Sequence, residues 1–287
     1  ALLHLLPTLW FRNTWSWATD SPRPRIAPDG QRRLLTTHPT LEPFRLHFDA
    51  ADELLFTENE SNAERLWGAP RAGFVKDAFH EHVVAARTDA VNPAREGSKA
   101  AVHCQRVIAA GDTWVLKLRL TNTAELPDPL GPAFDACFAQ RITEADAFYR
   151  RVTPFDMPDE LRCIQRQAFA GLLWSKQYYH FFVERWLAGD AVGPKPPEAR
   201  REGRNHGWRH MDAGDVLSMP DKWEYPWFAA WDMAFHCVGF ALIDADFAKQ
   251  QLLLLTREWY LHPNGQMPAY EWNFSDVNPP VHALATL

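Results

Sequence analysis

The stretch "MPDKWEYPWFAAWDMAFH" (219–236) decides how the second half of this chain is read. It holds Trp223, Tyr225, Trp227 and Trp231, with the acid Asp232 directly behind the last of them. An unpaired charge among apolar rings costs several kcal/mol, so such an acid is paired, neutral or used. With Pro226 as the first helical residue, the spacing predicts a helix to Ile243 with Asp232 about two turns in. Its only partner at i+4 is then His236. The bland reading is an Asp–His pair or a contact with a distant arginine. The functional reading is a general acid, because Trp rings exclude water, disfavour the carboxylate and raise its proton affinity toward working pH.

Outward from this stretch the texture stays helical back to a Pro-rich breaker, "LPDPLGPAF" (126–134). Phe134–Val152 has helical spacing. Pro158 opens what reads as one long helix, "PDELRCIQRQAFAGLLWSKQYYHFFVERWLAG", with Asp159 and Glu160 in its positive first turn and Gly189 past its end. Residues 190–215 read as a long polar loop, Phe247–Leu261 as another helix, and "NPPVHALATL" as the start of one more. Before the breaker the pattern is β. Short alternating runs such as "RLHFDA", "ELLFTENE" and "HEHVVAAR" are punctuated by Gly, Pro, Asn and Asp, and Thr113–Thr121 alternates most clearly. His80 and His82 would share a strand face, with no third ligand at a telling distance, which points to a structural or surface role.

The expected organisation is α+β multidomain. It comprises a β-sandwich-like region over 1–125, a linker and connecting helix over 126–157, and helical hairpins over 158–287 whose aromatic loops gather at one mouth. That layout puts "KWEYPWFAAWD" and "AYEWNFSDVNPP" on a common rim. Glu224, Glu271 and Asp276 in these loops are candidates for a second carboxylate, while Trp223, Tyr225 and His236 are candidate substrate contacts. The chain opens on Ala1 and closes soon after Pro280, which reads as a fragment of a longer protein.

Composition narrows the function classes. Of 287 residues, 46% are apolar and 23% charged, enough for a sizeable core. The net charge of −6 without a basic stripe argues against nucleic acid and anionic membranes as partners. No apolar run is long enough to span a bilayer. Cys104, Cys137, Cys163 and Cys237 lack C-x-x-C spacing and read as buried thiols, which fits a cytoplasmic setting. Neither a metal motif nor a cofactor motif is present. The 13 tryptophans suit either a large core or stacking on sugar rings.

The stretches "LWFRNTWSW" (9–17), "LLFTENESN" (54–62), "VKDAFHEHVV" (75–84), "LLWSKQYYH" (172–180), "SMPDKWEYPWFAAWDMAFH" (218–236) and "HPNGQMPAYEWNFSDVNPPVHA" (262–283) carry a further resemblance. They resemble the bacterial and archaeal glucosidase-like proteins of glycoside hydrolase family 63, which includes processing α-glucosidase I and is related to mannosylglycerate hydrolases. The resemblance implies an (α/α)6 barrel after the β region, of which 158–287 would be the first part. It implies an inverting glycosidase acting on an α-linked glucoside or mannoside, with Asp232 as general acid and a general-base Glu beyond this chain. Trp174 and Tyr178 match aromatic sugar contacts of the first barrel helix, and Trp227, Trp231, Trp272 and Asn273 match segments lining the sugar pocket. Two other accounts remain: a helical-barrel sugar epimerase with His236 as base, and a carbohydrate-binding or scaffold protein in which Asp232 only hydrogen-bonds hydroxyls.

Overall fold

A computed structural model of the chain describes residues 1–70, 73–191, 195–221, 224–271 and 276–287. It is a mixed α+β protein with antiparallel sheets, divided into two compact units, Ala1–Ile142 and Thr143–Leu287.

The first unit is built on two four-stranded antiparallel sheets. One contains β1 (Leu2–Leu5), β2 (Thr8–Trp10), β6 (Glu53–Thr57) and β7 (Lys99–Val107); the other is ordered β3 (Arg25–Pro28), β4 (Arg33–Thr37), β5 (Arg45–Phe48) and β8 (Leu118–Thr121). β1 and β2 both pair with β7. Pro7, which has no N–H to give, sits between them while its carbonyl accepts from Val102 N–H at 2.9 Å. Alternation along β7 sends Ala100, Val102 and Cys104 into a core shared with Ile26, Leu34, Leu46 and Phe48 of the other sheet. The intervening Ala101 instead meets Leu55, Phe79 and Val91.

Two short helices interrupt the strands, α1 (Ala63–Trp67) and α2 (Ala78–Ala85). The second corrects the strand expected at "HEHVVAAR". Phe79 and Val83 of α2 fall four apart and pack on Leu55, so a period near 3.6 rather than 2 meets the core. The two histidines therefore do not share a strand face. His80 is exposed, and His82 Nε2 pairs with Glu53 Oε2 at 2.8 Å. The alternation expected over Thr113–Thr121 becomes a strand only at β8, Leu118–Thr121, where β5 pairs with it from Phe48 to Arg45.

Gly97 sits where the backbone packs tightly between Ile26 and Thr57. Its N–H and C=O bond Ile26 at 3.1 and 2.7 Å, and a Cβ built there would lie 2.3 Å from the Thr57 carbonyl oxygen. Gly97→Ala is therefore expected to lose about 1–3 kcal/mol, read as a lower chemical-denaturation midpoint with an unchanged m-value. A wild-type midpoint would contradict the packing.

α3 (Pro132–Val152) and α4 (Asp159–Trp174) form as their spacing predicts, but the second helix stops well short of Gly189. Residues Lys176–Phe182 form strand β9 instead, followed by the short helix α5 (Val183–Ala188) with Gly189 past its end. The run "KQYYHFFV" is rich in aromatics that favour a pleated surface, and β10 (Asp212–Ser218) supplies seven paired positions. Those ladder bonds override a helical pattern that local spacing alone permits. β10 begins in the segment 190–215 expected to be a polar loop and runs past its end, with Ala213 and Leu217 buried.

α6 (Ala230–Ile243), α7 (Ala245–Leu254) and α8 (Val281–Thr286) complete the second unit. α7 ends seven residues before the expected Leu261, and a 3-10 turn at Glu258–Tyr260 follows. Asp244 caps α7 through Phe247 N–H at 3.2 Å and also pairs with Lys176. The main core gathers Tyr179, Trp208, Met211, Leu217, Phe228 and Tyr260. A smaller cluster joins Cys237, Phe240 and Ala248. Cys104 and Cys237 are buried, but Cys137 and Cys163 are exposed on α3 and α4, contrary to the expectation for four buried thiols. No described helix is long and apolar enough to cross a membrane.

Candidate functional site

The helix that carries Asp232 begins four residues later than its proline suggests. Ala229 is still extended and bridges Tyr270, and Ala230 N–H donates to the Ala269 carbonyl at 2.7 Å. These bonds pin the loop 269–271 against the start of α6 and hold residues 226–229 out of the helix. Asp232 consequently lies in the first turn, not two turns in. That position by itself favours the carboxylate through the helix dipole. Burial acts the other way and prevails, so the carboxyl holds its proton above the usual range, with His236 opposing the shift. Among the described residues Asp232 forms no ion pair with Lys or Arg, and its carboxyl remains partly open to solvent.

His236, one turn further on, is half-buried. Its Nδ1 lies 2.7 Å from Ser218 Oγ at the end of β10, and Ser218 Oγ lies 2.9 Å from Ser175 Oγ. The Ser175 hydroxyl donates to the Leu172 carbonyl at 2.6 Å. This relay ties α4, β10 and α6 together beneath Asp232. Burial lowers the proton affinity of His236, Asp232 opposing, and so favours a neutral imidazole at pH 7.

Glu271 is only 8% exposed and accepts a hydrogen bond from the Tyr179 hydroxyl of β9. Burial pushes its carboxyl up to about 7. A group so shifted is protonated in the folded state and ionised in the unfolded state between the two pKa values, so its contribution makes stability fall as pH rises. The window is pH 4.5 to 7, and the change is on the order of a few kcal/mol. Denaturation at pH 5 and pH 7.5 should show this loss in the wild type and a flatter profile in Glu271→Gln. Identical pH profiles would remove the assignment.

Of the other expected contacts, Trp174 ends α4 with 73% of its surface exposed and borders a pocket of about 300 Å³ with Gln177, Met219, Pro220 and Asp221. Tyr178 is 57% exposed and stacks on His180 at 5.8 Å, pointing away from the core that takes its neighbour Tyr179. Tyr225 packs on Trp227 with centroids 4.2 Å apart, and Trp227 leans on the main core. Trp231 is partly exposed and meets Phe235 edge-on. Glu224 is exposed, its N–H bonded to Asp221. Asp276 accepts a hydrogen bond from the Tyr270 hydroxyl. Trp223, Trp272 and Asn273 lie outside the described residues. No group of three or more His, Cys, Asp and Glu among the described residues is arranged to hold a metal ion.

The serine relay and the Tyr179–Glu271 pair are the parts that spacing did not reveal. Tyr179 and Glu271 are 92 residues apart, and no local pattern links them.

No protein-family model matches the chain. Over 320 aligned positions it is 45% identical to the uncharacterized protein YMR196W of Saccharomyces cerevisiae, an alignment that takes in 99% of this chain. The chain spans only 29% of the yeast protein's length.

Proposed function

We propose that this chain is part of an inverting glycoside hydrolase similar to family 63, acting on an α-linked glucoside or mannoside with Asp232 as general acid. The observation that carries the reading is the state of Asp232. Among the described residues it is a carboxyl with no lysine or arginine partner, biased toward its protonated form by burial, yet still reachable at the head of an aromatic helix. A neutral carboxyl there can protonate a departing glycosidic oxygen, the first requirement of glycoside hydrolysis. Trp174, Tyr178 and Trp231 offer exposed ring faces of the kind pyranose rings stack on.

The reading places the general-base Glu and the remaining barrel helices in the longer protein. α6 supports this, because Trp231, Phe235, Val238 and Leu242 form an exposed apolar stripe at i, i+4, i+7 and i+11. A stripe of that kind is normally covered by further structure. The first part of an (α/α)6 barrel, a β-sandwich-like first unit and a cytoplasmic location belong to the same proposal. Against an epimerase, the His236 ring is half-buried and engaged with Ser218 instead of facing open solvent.

The test is hydrolysis by the full-length protein. α-Glucosides, α-mannosides and mannosylglycerate would be offered and the first-formed anomer read by NMR. Release of the inverted anomer from one class supports the proposal. Retention of configuration, or sugar binding without any cleavage, overturns it.

A further inference from the structure

The β3–β4–β5–β8 sheet of the first unit has an apolar face in the core, carrying Leu34, Leu46 and Phe48. Its opposite face is unusual in being both polar and covered. His47 on β5 is 6% exposed and stands in register between Arg33 of β4 and Arg119 of β8. Arg119 in turn donates to the Pro129 carbonyl at 3.2 Å, so the segment 126–130 borders this face. Between them lies a groove of about 480 Å³.

Residues 45, 47 and 49 follow one another at period two along this strand, and Asp49 N–H continues the ladder to the Lys117 carbonyl at 3.2 Å. Each of the three presents a buried polar atom with no hydrogen-bond partner: Arg45 Nε, His47 Nε2 and Asp49 Oδ1. An orphaned buried group costs about 1–3 kcal/mol, and three in a row on one strand face are not expected without something to satisfy them. Two are on basic side chains and one is an acceptor.

The charges around them set the sign of the occupant. Arg32 and Arg33 line the groove with Asp29, Asp49 and Asp128, and Arg45 and Arg119 act on His47 from just outside it. Asp29 is already taken by Arg33 at 2.8 Å and lies 3.9 Å from Arg45, while Asp49 Oδ2 accepts from Lys117 N–H at 3.0 Å. Among the described residues the Arg32 side chain has no partner. At His47, burial and then Arg33, Arg119 and Arg45 depress proton affinity, and only Asp29 opposes them, so the local field is positive.

We propose that this groove binds a small oxyanion that carries a hydroxyl, with His47, Arg32 and Arg33 holding the anionic oxygens and Asp49 Oδ1 accepting the hydroxyl. A phosphate monoester and a hydroxycarboxylate share this chemistry. Arginine suits both through paired N–H donors, and a bare anion such as sulfate would leave the Asp49 acceptor unsatisfied.

Calorimetric titration of the protein at constant ionic strength tests this, with inorganic phosphate, glycerol 3-phosphate, citrate and sulfate as probes and sodium chloride as control. Saturable binding of glycerol 3-phosphate identifies a phosphate-ester site, and tighter binding of citrate identifies a hydroxycarboxylate site. Either should exceed sulfate and weaken on the order of tenfold in His47→Gln and in Arg32→Gln. Heats that match the chloride control for every probe overturn the proposal, as does binding that both variants leave unchanged. Should His47→Gln fail to fold, NMR titration of the wild-type His47 ring decides. A bound oxyanion must raise its pKa, and an unmoved value counts against the site.

Discussion

Asp232→Asn in the full-length protein is expected to lower kcat by about 10²–10⁴ on α-glycosides with poor leaving groups, with KM little changed. Asparagine keeps the size of the side chain and its place in the first turn of α6 but has no proton to deliver. The loss should shrink on substrates whose leaving group departs unaided, such as glycosyl fluorides, because protonation is then not required. The pH profile gives an independent signature. A general acid works only while protonated, so activity falls as pH climbs through the pKa of Asp232, which burial has raised. That alkaline limb should vanish in the variant. Wild-type turnover in Asp232→Asn would remove Asp232 from the chemistry. Loss of turnover on every substrate regardless of leaving group would point to a role in binding or folding instead.

The second large effect concerns the main core of the second unit. Trp208 is fully buried, donates from its indole N–H to the Leu261 carbonyl at 3.2 Å and meets Phe228 with centroids 6.4 Å apart. Trp208→Ala is expected to destabilise the second unit by about 3–5 kcal/mol, a fall in Tm on the order of 10 °C. Most of this is packing and cavity, because the Leu261 carbonyl keeps a second partner in His210 Nε2 at 2.7 Å. Trp208→Phe should therefore recover much of the loss. Unchanged melting of the alanine variant would show that the indole is not a core element.

Much of the chain's plan is legible along the chain itself. The alternating runs before residue 126 and the Pro-rich breaker reflect local propensity, and so does the long spacing pattern of Pro132–Val152. Asp232 stands out for the same reason: the one acid of residues 226–243 sits among aromatic and apolar neighbours, a solvation anomaly whatever the fold. Where the reading failed, the missing information lay on a distant segment. "KQYYHFFV" continues a helical pattern acceptably, and only pairing with "DAGDVLS", some thirty residues on, makes it a strand. "HEHVVAAR" alternates like a strand, yet the core it meets accepts Phe79 and Val83 at helical spacing.

The first turn of α6 shows the division most clearly. Residue order supplies Pro226, the tryptophans and the lone carboxylate. The bond from Ala230 to Ala269 and the bridge from Ala229 to Tyr270 move the helix start past the proline and bring Glu271 beside Tyr179. Propensity and periodicity are properties of neighbours along the chain, so they show in the order of residues. Hydrogen bonds and desolvation between remote segments exist only once the chain has closed on itself, and they set the environment of Asp232, Glu271 and His47.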